Sequence, residues 1–472
     1  MLALGTLMAT LDISVVNIAL PTLSHTFGVP LTTIEWVVLA YVLTITGLLL
    51  VLGRLADRFG RRRIYGLGLT VFTLASALCA MAPGAHALIA ARTLQGFGAA
   101  MMTANSVALL VTCFPPEERG RSLGAFGAMV GAGLALGPPL GGVLVQQLSW
   151  RWIFLINLPL GVLALVQLPR RLPPDPPRVA TGRLPVASAL LWCSALVAFM
   201  LALSRGPEWG WGLRGVSPLF ALAVLLLAGF AYCERRVSDP LLPLDTITGP
   251  LGISLALSLL GNLVSIAVGF QLPLYLEEMF GFDAGRSGRW MVVLPLMALV
   301  LAPIAGRGSD RWGARPLSVA GFLLTALGLL ALAGVGTLPR LPLILAGMAL
   351  VGIGQGLFAV PNSRALLSAV PPGKLGLANG LQGTVRTLGI SGGAALTAAL
   401  LASRVSAHGG GRLVAGALAP GGREALGRAT TETYLALTAV ALLGVMLALR
   451  MRPGAATQQA PGGPGAGARA GA

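Results

Sequence analysis

The sequence predicts an all-α integral membrane protein: two six-helix bundles related by pseudo-symmetry, plus two inserted helices, about 14 transmembrane helices in all. Three observations carry that reading. Of 472 residues, 55% are hydrophobic and only 10% charged, against roughly 25% charged in a soluble domain. The basic residues gather in short stretches between long apolar runs. Two sequence patterns recur at nearly one spacing in the two halves of the chain.

A spanning helix needs about 20 mostly apolar residues. Runs that qualify fall at 2–24, 35–56, 64–83, 88–112, 121–145, 152–168, 184–204, 215–233, 249–276, 290–306, 316–336, 341–361, 378–403 and 432–450. The first run lacks a basic n-region and a small-residue cleavage site, so it reads as a membrane helix rather than a removed signal. Gly and Pro interrupt many runs, which membrane helices tolerate because neighbouring groups re-satisfy the backbone. The Pro-rich, basic stretch 170–183 reads as a cytoplasmic linker. The Gly/Ala/Pro-rich tail 453–472 reads as disordered. The predicted units are a bundle at 1–169, the linker, two inserted helices with the following loop at 184–248, a bundle at 249–452, and the tail.

Charge orients the set. With the N-terminus inside, 21 of the 33 Lys and Arg fall in inner loops and the tail, and ten in outer loops, four of them in a long loop at 404–431. Arg92 and Arg386 remain inside helices. This bias predicts both termini in the cytoplasm. The same distribution removes a nucleic-acid reading of the +17 net charge, because the Arg residues form no binding face.

The repeat is specific. GRLADRFGRRR (53–63) matches GRGSDRWGARP (306–316), 253 residues later, and NSVALL (105–110) matches NSRALL (362–367), 257 residues later. Repeated bundles around a midplane site are the architecture of secondary transporters.

Several chemistries are excluded. The four Cys and three His form no CxxC or mixed cluster that would hold a metal. The only Lys, Lys374, lacks the upstream Gly of a phosphate-binding loop, and GIGQG (352–356) lies in a membrane helix without βαβ context. No nucleophile–base set is visible, so the sequence predicts no enzyme and no cofactor.

The chain resembles the major facilitator superfamily, and within it the 14-helix drug:proton antiporters of the EmrB/QacA type. The resemblance rests on LDISVVNIALP (11–21), the 53–63 loop, RTLQGFGAA (92–100), SWRWIFLINLPLG (149–161) and EWGWG (208–212). Its sharpest element is the antiporter-helix pattern G-x8-G-x3-GP-x2-GG, matched by Gly124, Gly133, Gly137, Pro138, Gly141 and Gly142. The resemblance implies the major facilitator fold and export of a lipophilic small molecule in exchange for protons. The setting it implies is the inner membrane of a bacterium, with an accessory periplasmic protein where the host is Gram-negative. It also puts dicationic substrates in doubt, because the tenth helix carries no second acid.

Asp12 is the one acid near the middle of a predicted span. An ionised carboxylate there costs a few kcal/mol, and intramembrane ionisable groups are functional by default. Desolvation favours its protonated form, so a proton can be taken up and released. The bland alternative is a structural Asp bonded to a neighbouring helix. Arg92 is its natural electrostatic partner. Arg92 lies toward the outer end of its run, however, so direct pairing and a snorkelling anchor stay open. Gly53, Asp57, Arg58, Gly60 and Arg61, with Asp310, Arg311 and Gly313 in the repeat, form a predicted cytoplasmic gate. There an Asp would hold the N-terminus of a neighbouring helix through its dipole. Gly133, Gly137 and Gly141 make a smooth stripe for close packing, bent by Pro138. Candidates for the substrate cavity are Asn17, Gln95, Asn262, Gln271 and Gln355. Trp209 and Trp211 read as an interfacial belt.

Overall fold

The computed structural model describes residues 2–29, 31–115, 118–175, 185–209, 215–237, 240–242, 249–336, 340–370, 375–409 and 422–451. Among them every regular element is a helix. In chain order these are α1 (Leu2–Phe27), α2 (Leu31–Ile34), α3 (Trp36–Phe59), α4 (Arg61–Ala80), α5 (Ala85–Cys113) and α6 (Arg119–Gln147). A broken span, α7 (Trp152–Leu155) and α8 (Asn157–Arg171), follows, then α9 (Val186–Trp209) and α10 (Ser217–Glu234). The remainder is α11 (Pro250–Phe280), a second broken span of α12 (Ala284–Met291) and α13 (Val293–Trp312), α14 (Ala314–Val335), α15 (Leu341–Ser368), α16 (Leu375–Ala407) and α17 (Gly422–Leu449). Among the described residues, twelve spans are long and apolar enough to cross a membrane, the broken ones counted once each. Beside them run α1 and α6, of 26 and 29 residues. The predicted tail, most of the linker, Lys374 and Trp211 lie outside the described residues, as do the surroundings of Gly124 and the side chains of Asn17 and Pro138.

Each apolar run becomes a helix because a bilayer leaves a backbone no other partner for its amides. The outer loop predicted at 404–431 is corrected. Helix α16 continues to Ala407, and α17 begins at Gly422, ten residues before the apolar run. The turns in between are polar yet helical, held by Arg428 donating to Glu424 at 2.7 Å, an i,i+4 pair. Hydropathy registers polarity, not helicity, and so stops short. Likewise Arg364, assigned to an inner loop, lies within α15.

The repeat is structural as well as sequential. A Cβ on Gly98 of α5 would lie 2.5 Å from the backbone N of Phe72 and 2.8 Å from the carbonyl of Gly68 on α4. In the second half, a Cβ on Gly354 of α15 would lie 2.4 Å from the carbonyl of Gly321 on α14. Both halves therefore cross their third and fourth spans backbone against backbone, where only Gly fits. The halves meet where α3 packs on α16 and α6 packs on α13. The pair α9–α10 rides on this assembly, α9 against α3 and α16. It is joined by Trp192–Phe230 and Phe199–Phe220 ring contacts at 5.2 and 5.6 Å.

Candidate functional site

Asp12, on α1, is 1% exposed and Arg92, on α5, is fully buried. They form an ion pair, Arg92 Nη1 donating to Asp12 Oδ2. The sequence left this pairing open because Arg92 stood near a helix end. In the structure α5 starts at Ala85, which sets Arg92 about 10 Å below that end at 1.5 Å per residue.

The pair is enclosed on every side. Gln95 Nε2 donates to Asp12 Oδ1 at 3.0 Å and to Ser76 Oγ at 2.8 Å, while its Oε1 accepts from Arg92 at 2.7 Å. Asn157 Nδ2 donates to Asp12 Oδ1 at 3.1 Å, and Arg92 Nε donates to the Val37 carbonyl at 2.9 Å. The Arg92 guanidinium lies 4.1 Å from the centroid of the Tyr41 ring, a desolvated cation–π contact. Asp12 thus accepts charge-assisted bonds from three side chains on two elements, α5 supplying two and α8 the third. This is how a buried ion pair offsets the loss of water.

Asn157 went unrecognised at the sequence level, as did Ser76 and Tyr41. It sits where the sixth span breaks, as the first residue of α8. Its only signal is membership of the SWRWIFLINLPLG stretch. Two of the substrate-cavity candidates are buried in this conformation. Gln95 belongs to the buried network around Asp12, and Gln271 is fully buried. Asn262 and Gln355 are partly exposed, and Gln355 Nε2 donates to the Gly261 carbonyl at 3.0 Å.

The opposite face of α1 meets the Gly stripe of α6. A Cβ on Gly133 would lie 2.2 Å from Thr10 Oγ1, one on Gly137 2.3 Å from Ser14, and one on Gly141 3.1 Å from the Val15 carbonyl. Thr10 and Ser14 flank Asp12 in sequence. Two residues are about 200° of helical rotation, so they face away from it. One helix therefore carries the ionisable site on one side and the seam with α6 on the other.

Asp57 and Asp310, each in the last turn of its helix, use different partners. Asp57 Oδ1 accepts from Arg61 Nη2 at 2.8 Å, and its Oδ2 accepts the backbone N–H of Leu377 at 3.2 Å. Leu377 is the third residue of α16, so the carboxylate of one half meets the N-terminal amides of a helix in the other, as the dipole argument requires. Asp310 instead pairs with Arg364 of α15. The swap is legible in the repeat, where Ala314 stands for Arg61 and Val107 for Arg364. Gly60 and Gly313 join the helices on either side at φ 105° and 79°, a region that disfavours side chains. Arg58 stacks at 5.4 Å on Phe59, and Arg311 is exposed. A further residue from the Pro-rich linker, Asp175, caps α4, accepting from the backbone N of Arg62 at 2.8 Å and of Arg63 at 3.2 Å.

Asp57→Asn is expected to leave expression near normal and to reduce transport per folded molecule. Losing one charge-assisted bond across the seam, about 1.5–3 kcal/mol, shifts a closed–open equilibrium roughly ten- to hundredfold. Unchanged transport per molecule alongside reduced expression would make Asp57 a stability residue only.

A family model described as Major Facilitator Superfamily matches residues 2–394 and again 251–470. The chain belongs to the Major Facilitator Superfamily. It is similar to a riboflavin transporter, RibZ, of Clostridioides difficile, at 31% identity over 86% of this chain and 88% of the relative. It is similar to a methylenomycin A resistance protein of Streptomyces coelicolor, at 36% identity over 82% of each. A puromycin resistance protein, pur8, of Streptomyces alboniger is 37% identical over 83% of this chain and 78% of its own length. Among solved structures, the proton:xylose symporter XylE covers 94% of this chain and 93% of its own, with a TM-score of 0.66 at 15% identity. That likeness concerns the fold. This member of the superfamily is a multi-pass membrane transporter, not an enzyme.

Proposed function

We propose that this superfamily member exports lipophilic compounds across a bacterial plasma membrane in exchange for protons, by alternating access, with both termini in the cytoplasm. The observation that carries the reading is the Asp12–Arg92 pair, closed to water inside the first half of the chain. An acid there can change charge only when the surrounding helices move, and that obligation is what couples a proton to a conformational cycle. Protonation of Asp12 releases Arg92, Gln95 and Asn157 from a shared acceptor. Helix α1 is then free to shift, and α6 with it, because their backbones are in contact along Gly133, Gly137 and Gly141. Helix α6 also packs on α13 of the second half, so the shift reaches the seam between the halves. On the other side of that seam, the bond from Leu377 to Asp57 must break for the halves to rock apart.

The complete G-x8-G-x3-GP-x2-GG pattern supports the 14-helix antiporter branch, and the Gly98 and Gly354 crossings support the division into bundles at 1–169 and 249–452. One proton crossing ~150 mV supplies about 3.5 kcal/mol, enough for a gradient of a few hundredfold in a neutral compound. A narrower reading is export of one natural product. It draws on relatives whose names specify single compounds, such as the tetracenomycin C resistance and export protein of Streptomyces glaucescens.

Inverted vesicles containing the chain should accumulate a lipophilic dye when acidified inside, without ATP. Uptake that survives collapse of the proton gradient and requires ATP would overturn antiport.

A further inference from the structure

Two Arg side chains lie deep inside spans, and the protein treats them in opposite ways. Arg92 is wrapped by a carboxylate, an amide oxygen, a backbone carbonyl and an aromatic face. Arg386, on α16, makes no hydrogen bond, ion pair or ring contact with any described residue. It is the twelfth residue of α16, about 17 Å from the start of the helix, near the middle of a ~30 Å hydrocarbon layer.

The helical face of Arg386 is defined by its neighbours at i−4 and i−7. Gln382 Nε2 donates to Ser363 Oγ of α15. Asn379 Nδ2 donates to the carbonyls of Thr103 and Ala104 of α5, at 2.8 and 2.6 Å. Asn379 closes the seam between the halves, as does Gly383, whose Cβ would lie 2.9 Å from Leu49 of α3, while Gln382 ties α16 to α15 within the second half. Arg386 is the next polar side chain outward on that face. It is partly exposed, and Ile390 one turn further is 39% exposed. The guanidinium therefore lies two turns beyond Asn379, on the face of α16 that Asn379 turns toward α5 of the first half. Asp57, which meets α16 at Leu377, is nine residues below and already bonded to Arg61. Asp310 is bonded to Arg364.

We infer that Arg386 anchors the acidic group of an amphipathic anion in the space between the halves, so that the compounds carried include lipophilic carboxylates. An unpaired cation in a membrane interior is costly and marks a ligand pathway. A guanidinium is the side chain whose planar donor pair matches a carboxylate. An apolar body would lie against the surrounding aliphatic surface. This deepens the export reading and rests on it. An anion leaving a cell that is negative inside moves with the membrane potential, so exchange for a proton uses the potential twice.

The test uses the full-length chain, purified in detergent, and a fluorophore carrying one carboxylate beside its methyl ester. Fluorescence polarisation reads binding. The native chain should prefer the acid at least about tenfold, the worth of one charge-assisted bond. R386Q should lose that preference while binding the ester unchanged, and R386K should keep part of it. Equal or absent binding of the two dyes by the native chain, or an undiminished preference in R386Q, overturns the site. If R386Q does not fold, R386M and R386K carry the comparison, and indistinguishable preferences in those two overturn it equally. Reconstituted vesicles separate the two claims. Preferential binding of the acid without proton-driven movement of either dye removes the export reading and leaves the anion site standing.

Discussion

Asp12→Asn should fold, still bind substrate, and fail to concentrate it. Asn keeps the size of Asp, and its one acceptor oxygen can serve either Arg92 or the pair Gln95 and Asn157, so the enclosure is loosened but stays filled. It cannot titrate, so no proton is taken up or released during the cycle. A carrier that sustains a gradient of a few hundredfold per proton at ~150 mV should then equilibrate its substrate at best. The measurement is proton release on substrate addition, normalised to folded protein, together with accumulation in energised vesicles. Asp12→Glu should retain partial coupling with a shifted pH optimum, because a carboxylate remains on a longer stem. A purely structural Asp12 makes the opposite forecast: both variants would lower the amount of folded protein, and the surviving molecules would couple normally.

The second large effect concerns the other member of the pair. Arg92→Leu should destabilise the protein by up to about 3–5 kcal/mol, the cost of stranding one partner of a buried ion pair. It also leaves Gln95 Oε1 and the Val37 carbonyl without a donor that now reaches them. Thermal unfolding in detergent should show a fall for each single variant, since each strands a buried charge, and the larger one for Arg92→Leu, which also removes side-chain volume from the site. The double variant should lie well above the sum of the two, because the stranded carboxylate has gone. Additive losses would mean that the pair does not act as a unit. Arg386→Gln is the internal control: with no partner among the described residues, its removal should cost little stability.

The contrast between the two arginines shows where reading the chain alone reaches and where it stops. Both were visible as intramembrane charges, since an Arg within an apolar run stands out against its background. Which one is neutralised depends on Asp12 and Asn157, 80 and 65 positions from Arg92 in sequence, and on five helices converging there. Asn157 itself carried no separable signal, because an Asn near a span end reads the same whether it faces lipid headgroups or a buried carboxylate. The loops were more legible. Gly60 and Gly313 repeat at one spacing because both require positive φ, and the placement of an Asp beside a helix start followed from the dipole alone. The exchange of Arg61 for Arg364 was already in the two repeats, but only contact between α13 and α15 gives Arg364 a purpose. The long outer loop was misjudged because Glu424 and Arg428 make polar turns helical through a local pair that hydropathy does not count.

What the sequence by itself determined is the membrane class, the twofold repeat, the positions of the spans to within a few residues in most cases, and the short set of ionisable groups inside them. These follow from local rules: a bilayer forces helices, charge avoids hydrocarbon, and glycine alone adopts certain turns. Only the tertiary structure decided that Asp12 and Arg92 share a closed site within one half, that Asp57 reaches across to the start of α16, and that Arg386 has no counter-charge among the described residues. Those outcomes depend on which faces of long helices meet. That choice is set by backbone approach at small residues such as Gly98, Gly137 and Gly354, summed over many contacts distant in sequence, and no window along the chain contains it.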